Sequence, residues 1–229
     1  MPATRAAPAR RKPAAGRPAA LRLGFTLSPR MRVGLFGGSF NPAHAGHAHV
    51  AETARRRLRL NKVIWLVSPQ NPLKTAGEMA GLSARMASAR AVARGPAMVV
   101  SDAETRFTTR YTIDTVRRLK ARFPRVRFVW LMGADSLGEL HRWRGWTEIL
   151  RALPCAVVAR PGAALSSRFA PAARRFAHAR APARAASGLV AALAPRWVYL
   201  TGPLNFQSST RLRRRGLSAA SSAVRESDA

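Results

Sequence analysis

The stretch Met31-Arg32-Val33-Gly34-Leu35-Phe36-Gly37-Gly38-Ser39-Phe40-Asn41-Pro42-Ala43-His44-Ala45-Gly46-His47 joins an apolar run, a glycine pair, two imidazoles and a helix start within one short segment. Met31 to Phe36 is apolar enough for a buried parallel strand, and Gly37-Gly38 gives the backbone freedom to turn where a side chain would collide with a bound phosphate. From about Gly46 the positions His47, Val50, Ala51, Ala54 and Leu58 follow a helical period. The positive end of that helix would face the same spot as the turn amides. His44 and His47, on either side of the helix boundary, can donate hydrogen bonds to phosphate oxygens. Other readings of the run are a glycine turn with incidental histidines, or a His-x-x-His metal pair. A metal site needs three or four ligands, and the single cysteine, Cys155, is remote in sequence, so no metal site is assigned.

The chain contains no G-x-x-x-x-G-K-[ST] run, and no G-x-G-x-x-G follows an expected strand. The run instead resembles the [ST]-F-D-P-x-H-x-G-H signature of the nucleotidylyltransferase superfamily, in which two histidines bind and polarise ATP phosphates.

Further apolar runs alternate with helical patterns. Val63 to Val67, Met98 to Ser101, Val126 to Met132, Cys155 to Ala159 and Trp197 to Leu200 read as strands; Leu82 to Arg94, Thr112 to Arg122 and Trp146 to Arg151 read as helices. The alternation predicts an α/β fold, a Rossmann-like doubly wound parallel sheet with helices on both faces, whose ligands bind at the carboxyl ends of the strands. Residues 163–194, rich in Ala and Arg, read as helix with loops and have no clear register.

Strand ends therefore nominate the remaining residues. After Val67, the proline-punctuated Ser68-Pro69-Gln70-Asn71-Pro72-Leu73-Lys74 would hold Lys74 over the phosphates, unless Lys74 is a solvated surface lysine. After Met132, Gly133-Ala134-Asp135 supplies a small residue for close backbone approach and a carboxylate for ribose hydroxyls. Asp135 also suits a helix N-cap, and the two roles are compatible. After Leu200, Ser208-Ser209-Thr210-Arg211-Leu212-Arg213 places hydroxyls and amides at a helix start, either a second anion site or a plain cap on a basic helix.

Together these blocks resemble the family of bacterial nicotinate-nucleotide adenylyltransferases over most of Met31 to Arg213. Gly37 to His47 is similar to the family's ATP motif, Pro69 to Lys74 to its proline loop, and Gly133 to Leu137 with Trp143, Trp146 and Ile149 to its G-x-D-x-[LF]…W…W…I block. Ser208 to Arg213 is similar to its S-S-T-x-[IL]-R motif, and Arg110 to Thr115 to its Y-T-[IVAL]-[DQ]-T helix start. The resemblance implies transfer of the adenylyl group of ATP to nicotinate mononucleotide, giving deamido-NAD and pyrophosphate in NAD biosynthesis. It implies ATP contacts from Gly37, Gly38, Ser39, Phe40, His44, His47, Gly133, Asp135, Ser208, Ser209, Thr210 and Arg213. His44, His47, Lys74 and Arg213 would neutralise phosphate charge in catalysis, with Mg²⁺ bound alongside ATP. Tyr111, Thr112, Trp143 and Arg144 would form the nicotinate mononucleotide site: Trp143 stacking on the pyridine, Thr112 and nearby amides taking its carboxylate, Arg144 adding an ionic partner. The other reading of Trp143 is core packing, yet His141-Arg142-Trp143-Arg144 is a very polar setting for a buried indole. The chain departs from the family pattern with Asn41 where aspartate is commoner, with Arg144 where an aromatic is often seen, and with a short stretch beyond Arg213. Related readings are an adenylyltransferase acting on nicotinamide mononucleotide or on phosphopantetheine.

Composition bounds the rest. The 229 residues suit one domain, read as Met31 to Arg215, with a disordered basic extension over residues 1–30 and a flexible tail over 216–229. A single cysteine suits a reducing cytoplasm, and no apolar run approaches the roughly 18 residues of a membrane span. The formal charge of +30, from 40 Lys and Arg against 10 Asp and Glu, would serve a basic RNA-binding protein. With two tyrosines and no aromatic run for base stacking, a specific nucleic-acid partner is not expected. A milder benefit is attraction of anionic substrates such as ATP. The sequence is compatible with a homo-oligomer.

Overall fold

Strand β1, Arg32–Gly38, exists because alternate residues serve two cores at once: Val33 and Leu35 face one layer, Phe36 the other, and all are buried. In the computed structural model, which describes residues 23–69, 79–163, 166–203, 205–214 and 216–217, six more strands join it. They are β2 (Lys62–Val67), β3 (Met98–Ser101), β4 (Arg127–Gly133), β5 (Cys155–Val158), β6 (Arg180–Ala181) and β7 (Trp197–Leu200). Every pairing is parallel, in the order β3-β2-β1-β4-β5-β7-β6. The order reverses between β1 and β4, so the loops leaving these two strands diverge and open a crevice at their carboxyl ends. The doubly wound parallel sheet read from the sequence is the fold observed.

The helices are α1 (Ala45–Leu58), α2 (Leu82–Val92), α3 (Ala103–Arg106), α4 (Thr112–Arg122), α5 (Ala134–Glu139), α6 (Trp146–Ala152), α7 (Pro171–Arg175) and α8 (Ser209–Arg214). On one face, α1 buries Val50, Ala51, Ala54 and Leu58 against Phe36, Val63, Trp65 and Leu131. On the other, α4 and α6 bury Ile113, Val116, Leu119 and Ile149 against Val33, Leu35, Ile64 and Trp130. Each fully buried Val, Ile or Leu side chain contributes roughly 1.5–3 kcal/mol. Among the described residues, no helix is long and apolar enough to cross a membrane.

Two expected boundaries are corrected, and the 163–194 segment, expected as helix with loops, gains its register. The expected 1–30 extension reaches too far: residues 1–22 lie outside the described residues, but Leu23 is only 3 % exposed and its carbonyl accepts from Ser101 Oγ at 2.8 Å. Phe25 and Leu27 pack on the same core, and Arg30 N–H donates to Arg125 O at 2.7 Å, so the domain begins at least eight residues before Met31. Within 163–194, short 3-10 turns alternate with α7, and the two-residue β6 is not legible in sequence because Arg180-Ala181 has no strand pattern. Beyond Arg213, Gly216 N–H and Leu217 N–H close α8 on Arg213 O and Leu212 O; residues 218–229 lie outside the described residues.

Candidate active site

Gly37 and Gly38 stay inside β1, registered against Leu66 and Val67, and neither has a positive φ. The glycine pair is therefore not the turn. A Cβ on Gly37 would lie 2.6 Å from Trp130 Cη2, so this glycine makes room for the indole beneath it. The turn comes at Phe40, whose φ of 47° is unusual for a bulky residue. Its ring is buried and packs edge-on to Phe36 and His47, with centroids 5.5 and 5.0 Å away, and this packing holds the strained backbone.

The chain then passes through buried Asn41 to His44, the extended N-cap of α1. His47 Nδ1 accepts from the His44 backbone N–H at 3.2 Å, which puts a neutral His47's proton on Nε2 as a donor. The two imidazoles lie face to face, centroids 3.8 Å apart and 35° off parallel. His44 is 3 % exposed and its Nδ1 has no hydrogen-bond partner among the described residues. Burial, with a smaller contribution from the positive charge of Arg160, lowers its pKa to about 4. At pH 7 His44 is therefore a neutral donor–acceptor, not an imidazolium.

That depression fixes the sign of a pH effect. The unfolded chain binds this proton near pH 6.5 and the folded chain only near 4, so this contribution to stability is complete above pH 6.5 and declines as pH falls from 6.5 to 4. Taken in full, the gap amounts to about 3 kcal/mol. Denaturant unfolding at pH 7 and pH 5 is expected to show the loss, and His44→Gln is expected to flatten that part of the profile.

Arg160, just past β5, belongs to none of the sequence motifs. Its largely buried guanidinium donates through Nη2 to Gln207 O at 2.6 Å, and Nη1 lies 3.5 Å from Asp135 Oδ2. Gln207 Oε1 in turn accepts from Ala45 N–H at 3.0 Å, so Arg160 is tied to the start of α1. A signal does exist, since Arg160 follows a strand end, but it sits among many arginines. Gly133 caps α5, and Asp135 Oδ1 accepts from Ser136 N–H at 3.0 Å, so Asp135 is not the cap. A Cβ on Gly133 would strike Asp135 Oδ1 at 2.4 Å and Arg160 Cδ at 2.8 Å. Beside Asp135, which is 54 % exposed, a cavity of about 260 Å³ is lined by Ala134, Gly138, Ser166, Ser167 and Phe169.

On the opposite face, Trp130 links Gly37 to Trp143, the two indoles meeting edge to face at 6.4 Å. Trp143 and Tyr111 are half-buried against one core, and the Arg144 guanidinium lies 4.6 Å above the Tyr111 ring. Tyr111 is the N-cap of α4 and Thr112 its first residue. Tyr111, Thr112, Trp143 and Arg144 are thus brought together, although Arg144 already has an aromatic partner.

At α8, Ser208 Oγ accepts from Arg211 N–H at 3.2 Å and acts as a cap. Ser209 Oγ donates to Pro42 O at 3.0 Å and Arg213 Nη1 to Asn41 O at 2.8 Å, so α8 is fastened to the loop that carries His44. Thr210 Oγ1 lies 3.5 Å from Arg213 Nη2. Lys74 and most of the proline loop lie outside the described residues. Among the described residues, no three His, Cys, Asp or Glu side chains form a group able to hold a metal ion.

Comparison with known proteins identifies the family and the fold. The cytidylyltransferase-like family profile matches residues 35–215. A Caulobacter sp. (strain K31) protein called "Probable nicotinate-nucleotide adenylyltransferase" is 69 % identical over 185 residues, covering 81 % of this chain and 98 % of its own. One of the same name from Methylorubrum extorquens is 54 % identical, covering 81 % of this chain and 100 % of its own. In fold, the chain is similar to Plasmodium falciparum nicotinic acid mononucleotide adenylyltransferase complexed with NaAD, with a TM-score of 0.59 at 13 % identity over 81 % of this chain and 83 % of that one.

Proposed function

The chain belongs to the cytidylyltransferase-like family and, within it, to the nicotinate-nucleotide adenylyltransferases, and on that premise we infer that it transfers the adenylyl group of ATP to nicotinate mononucleotide in NAD biosynthesis. A phosphate oxygen of the mononucleotide attacks the α-phosphorus of ATP. The bond from that phosphorus to the α,β-bridging oxygen breaks, and pyrophosphate and deamido-NAD result. The incoming phosphate is itself the nucleophile, so the protein's part is positioning and charge neutralisation.

The observation that carries the residue assignment is the stacked His44–His47 pair at the start of α1, beside the switch in strand order and within the field of Arg160. His47 Nε2–H and a nitrogen of neutral His44 donate to triphosphate oxygens. Arg160 and Arg213 offset phosphate charge, each from a site where its backbone bonds already hold it. Lys74 is assigned to the β- and γ-phosphates by its motif alone. Asp135 accepts from the ribose hydroxyls, and the adjoining cavity has room for the nucleoside. Gly37, Gly38, Ser39 and Phe40 supply the backbone approach to the nucleotide, and Ser208, Ser209 and Thr210 support it from α8. Trp143 stacks on the pyridine, and Thr112 at the start of α4 takes its carboxylate with Tyr111 and Arg144 at the rim.

Among the described residues Asp135 is the one carboxylate placed here and is shared with Arg160, so an Mg²⁺ ion would arrive with the triphosphate rather than be held by a cage of protein carboxylates. Such an ion supplies charge neutralisation at the leaving pyrophosphate.

The test is pyrophosphate release by the purified chain with ATP and Mg²⁺, offering nicotinate mononucleotide, nicotinamide mononucleotide and phosphopantetheine in parallel. Release is expected with nicotinate mononucleotide, and Trp143→Ala is expected to raise its KM about tenfold, the scale of one aromatic stack, without changing the KM for ATP. Release confined to another acceptor would overturn the roles of Thr112 and Trp143. Absence of release with all three would return weight to the polyanion-binding reading.

A further inference from the structure

Arg85 occupies the apolar face of α2, on the side of Leu82 and Ala89, and is only 1 % exposed. Its guanidinium is spent on main-chain carbonyls: Nε donates to Ala80 O at 2.8 Å, Nη1 to Ser39 O at 2.9 Å and Ser68 O at 2.6 Å, and Nη2 to Pro69 O at 2.9 Å. Among the described residues no carboxylate pairs with it, and burial lowers its pKa. A buried cation is costly unless paired or fully hydrogen-bonded, and here only carbonyl dipoles offset the charge.

The four carbonyls come from three segments that meet at the candidate site: Ser39 begins the β1–α1 loop, Ser68 and Pro69 leave β2, and Ala80 leads into α2. The same helix fixes the far end of that loop, because Ser88 Oγ accepts from Ala43 N–H at 3.0 Å; Asn41 Oδ1 accepts from Ala80 N–H at 3.2 Å between them. In a trans peptide the carbonyl and the following N–H point in opposite directions. Holding Ser39 O toward Arg85 therefore turns the Phe40 N–H away from it and braces the strained Phe40 backbone. A lysine could not do this, since one ammonium cannot span carbonyls on three segments as a planar fork does.

We propose that Arg85 is a positioning residue for the ATP half of the reaction: it fixes the 39–43 loop in the shape that receives the triphosphate and sets an uncompensated positive charge behind it. The proposal rests on the adenylyl-transfer reading above. Wild-type pyrophosphate release separates the two, since a wild-type chain without turnover would refute that reading and not the role of Arg85 within it.

Arg85→Met and Arg85→Lys are to be compared with wild type by steady-state kinetics in each substrate, with thermal unfolding alongside. For Arg85→Met, kcat/KM for ATP is expected to fall about 100-fold, the scale of a 1 Å misplacement, with a raised KM for ATP and a KM for nicotinate mononucleotide within about twofold of wild type. Arg85→Lys should fall between. A general packing role would lower the thermal midpoint and raise both KM values together. That result, or unchanged ATP kinetics in a folded variant, would overturn the proposal. If Arg85→Met does not fold, Arg85→Lys decides on the same criteria.

Discussion

His47→Ala is expected to lower kcat by about 1,000-fold while the protein stays folded, because it deletes a fixed hydrogen-bond donor at the point where phosphate charge develops. His47 is only half-buried, and its structural duties are to accept from the His44 N–H, to stack on the His44 ring and to pack edge-on to Phe40, whose buried ring also rests on Phe36 and Trp65. Losing that cap costs about 1 kcal/mol. His44→Ala should match the kinetic loss but unfold more easily, since it also empties a buried volume at the start of α1. Pyrophosphate release and circular dichroism on the same preparations separate the two effects. A His47→Ala kcat within threefold of wild type would remove the imidazole pair from the mechanism, whatever its effect on stability.

A residue's role is legible in the amino-acid sequence when the contacts that decide it are local. The strands are readable because a parallel sheet buried on both faces demands unbroken apolar runs, as in Val63 to Val67 and Cys155 to Ala159. His44, His47 and Asp135 are nominated by short motifs that follow strand ends, and Trp143 by the same motif block as Asp135, ten residues beyond the end of β4. Arg85 and Arg160 are far less legible, because most of their partners lie 16 to 47 residues away and local signals are faint among 40 basic residues. One clue does exist for Arg85: it breaks the apolar spacing Leu82, Met86, Ala89 of its helix. Gly37 shows the opposite difficulty. Its position is conspicuous in the sequence but suggests the wrong reason, because the ring that requires a glycine there, Trp130, belongs to the neighbouring strand. Leu23 to Arg30 is obscure because alternation in Leu23, Phe25 and Leu27 is too short to stand out beside an Arg- and Pro-rich start.

Gly46→Ala offers the sharpest separation of folding from function. Gly46 is the second residue of α1, with ordinary helical backbone, so alanine should by propensity stabilise the helix by about 1 kcal/mol. Its Cβ, however, would lie 2.7 Å from Gln207 O and 2.8 Å from His44 Nδ1. Both contacts must be relieved: the 205–207 segment retreats, loosening the Arg160 and Ala45 bonds that end on Gln207, and the His44 ring swings off its stack with His47. Moving the Gln207 main chain and a buried imidazole breaks one or two hydrogen bonds of about 1 kcal/mol each, a cost that the gain in helix propensity partly offsets. Both shifts are expensive for the chemistry, because they displace a phosphate ligand by about an ångström, a misplacement that costs about 100-fold in turnover. The expected variant therefore melts within a few degrees of wild type yet loses about two orders of magnitude in kcat/KM for ATP. Gly188→Ala serves as the control, because a Cβ there meets nothing within 4 Å, and it should keep wild-type kinetics. A fully active Gly46→Ala enzyme would mean that His44 and Gln207 do not need their observed places, and with them the ATP-binding geometry assigned to the start of α1 would fall.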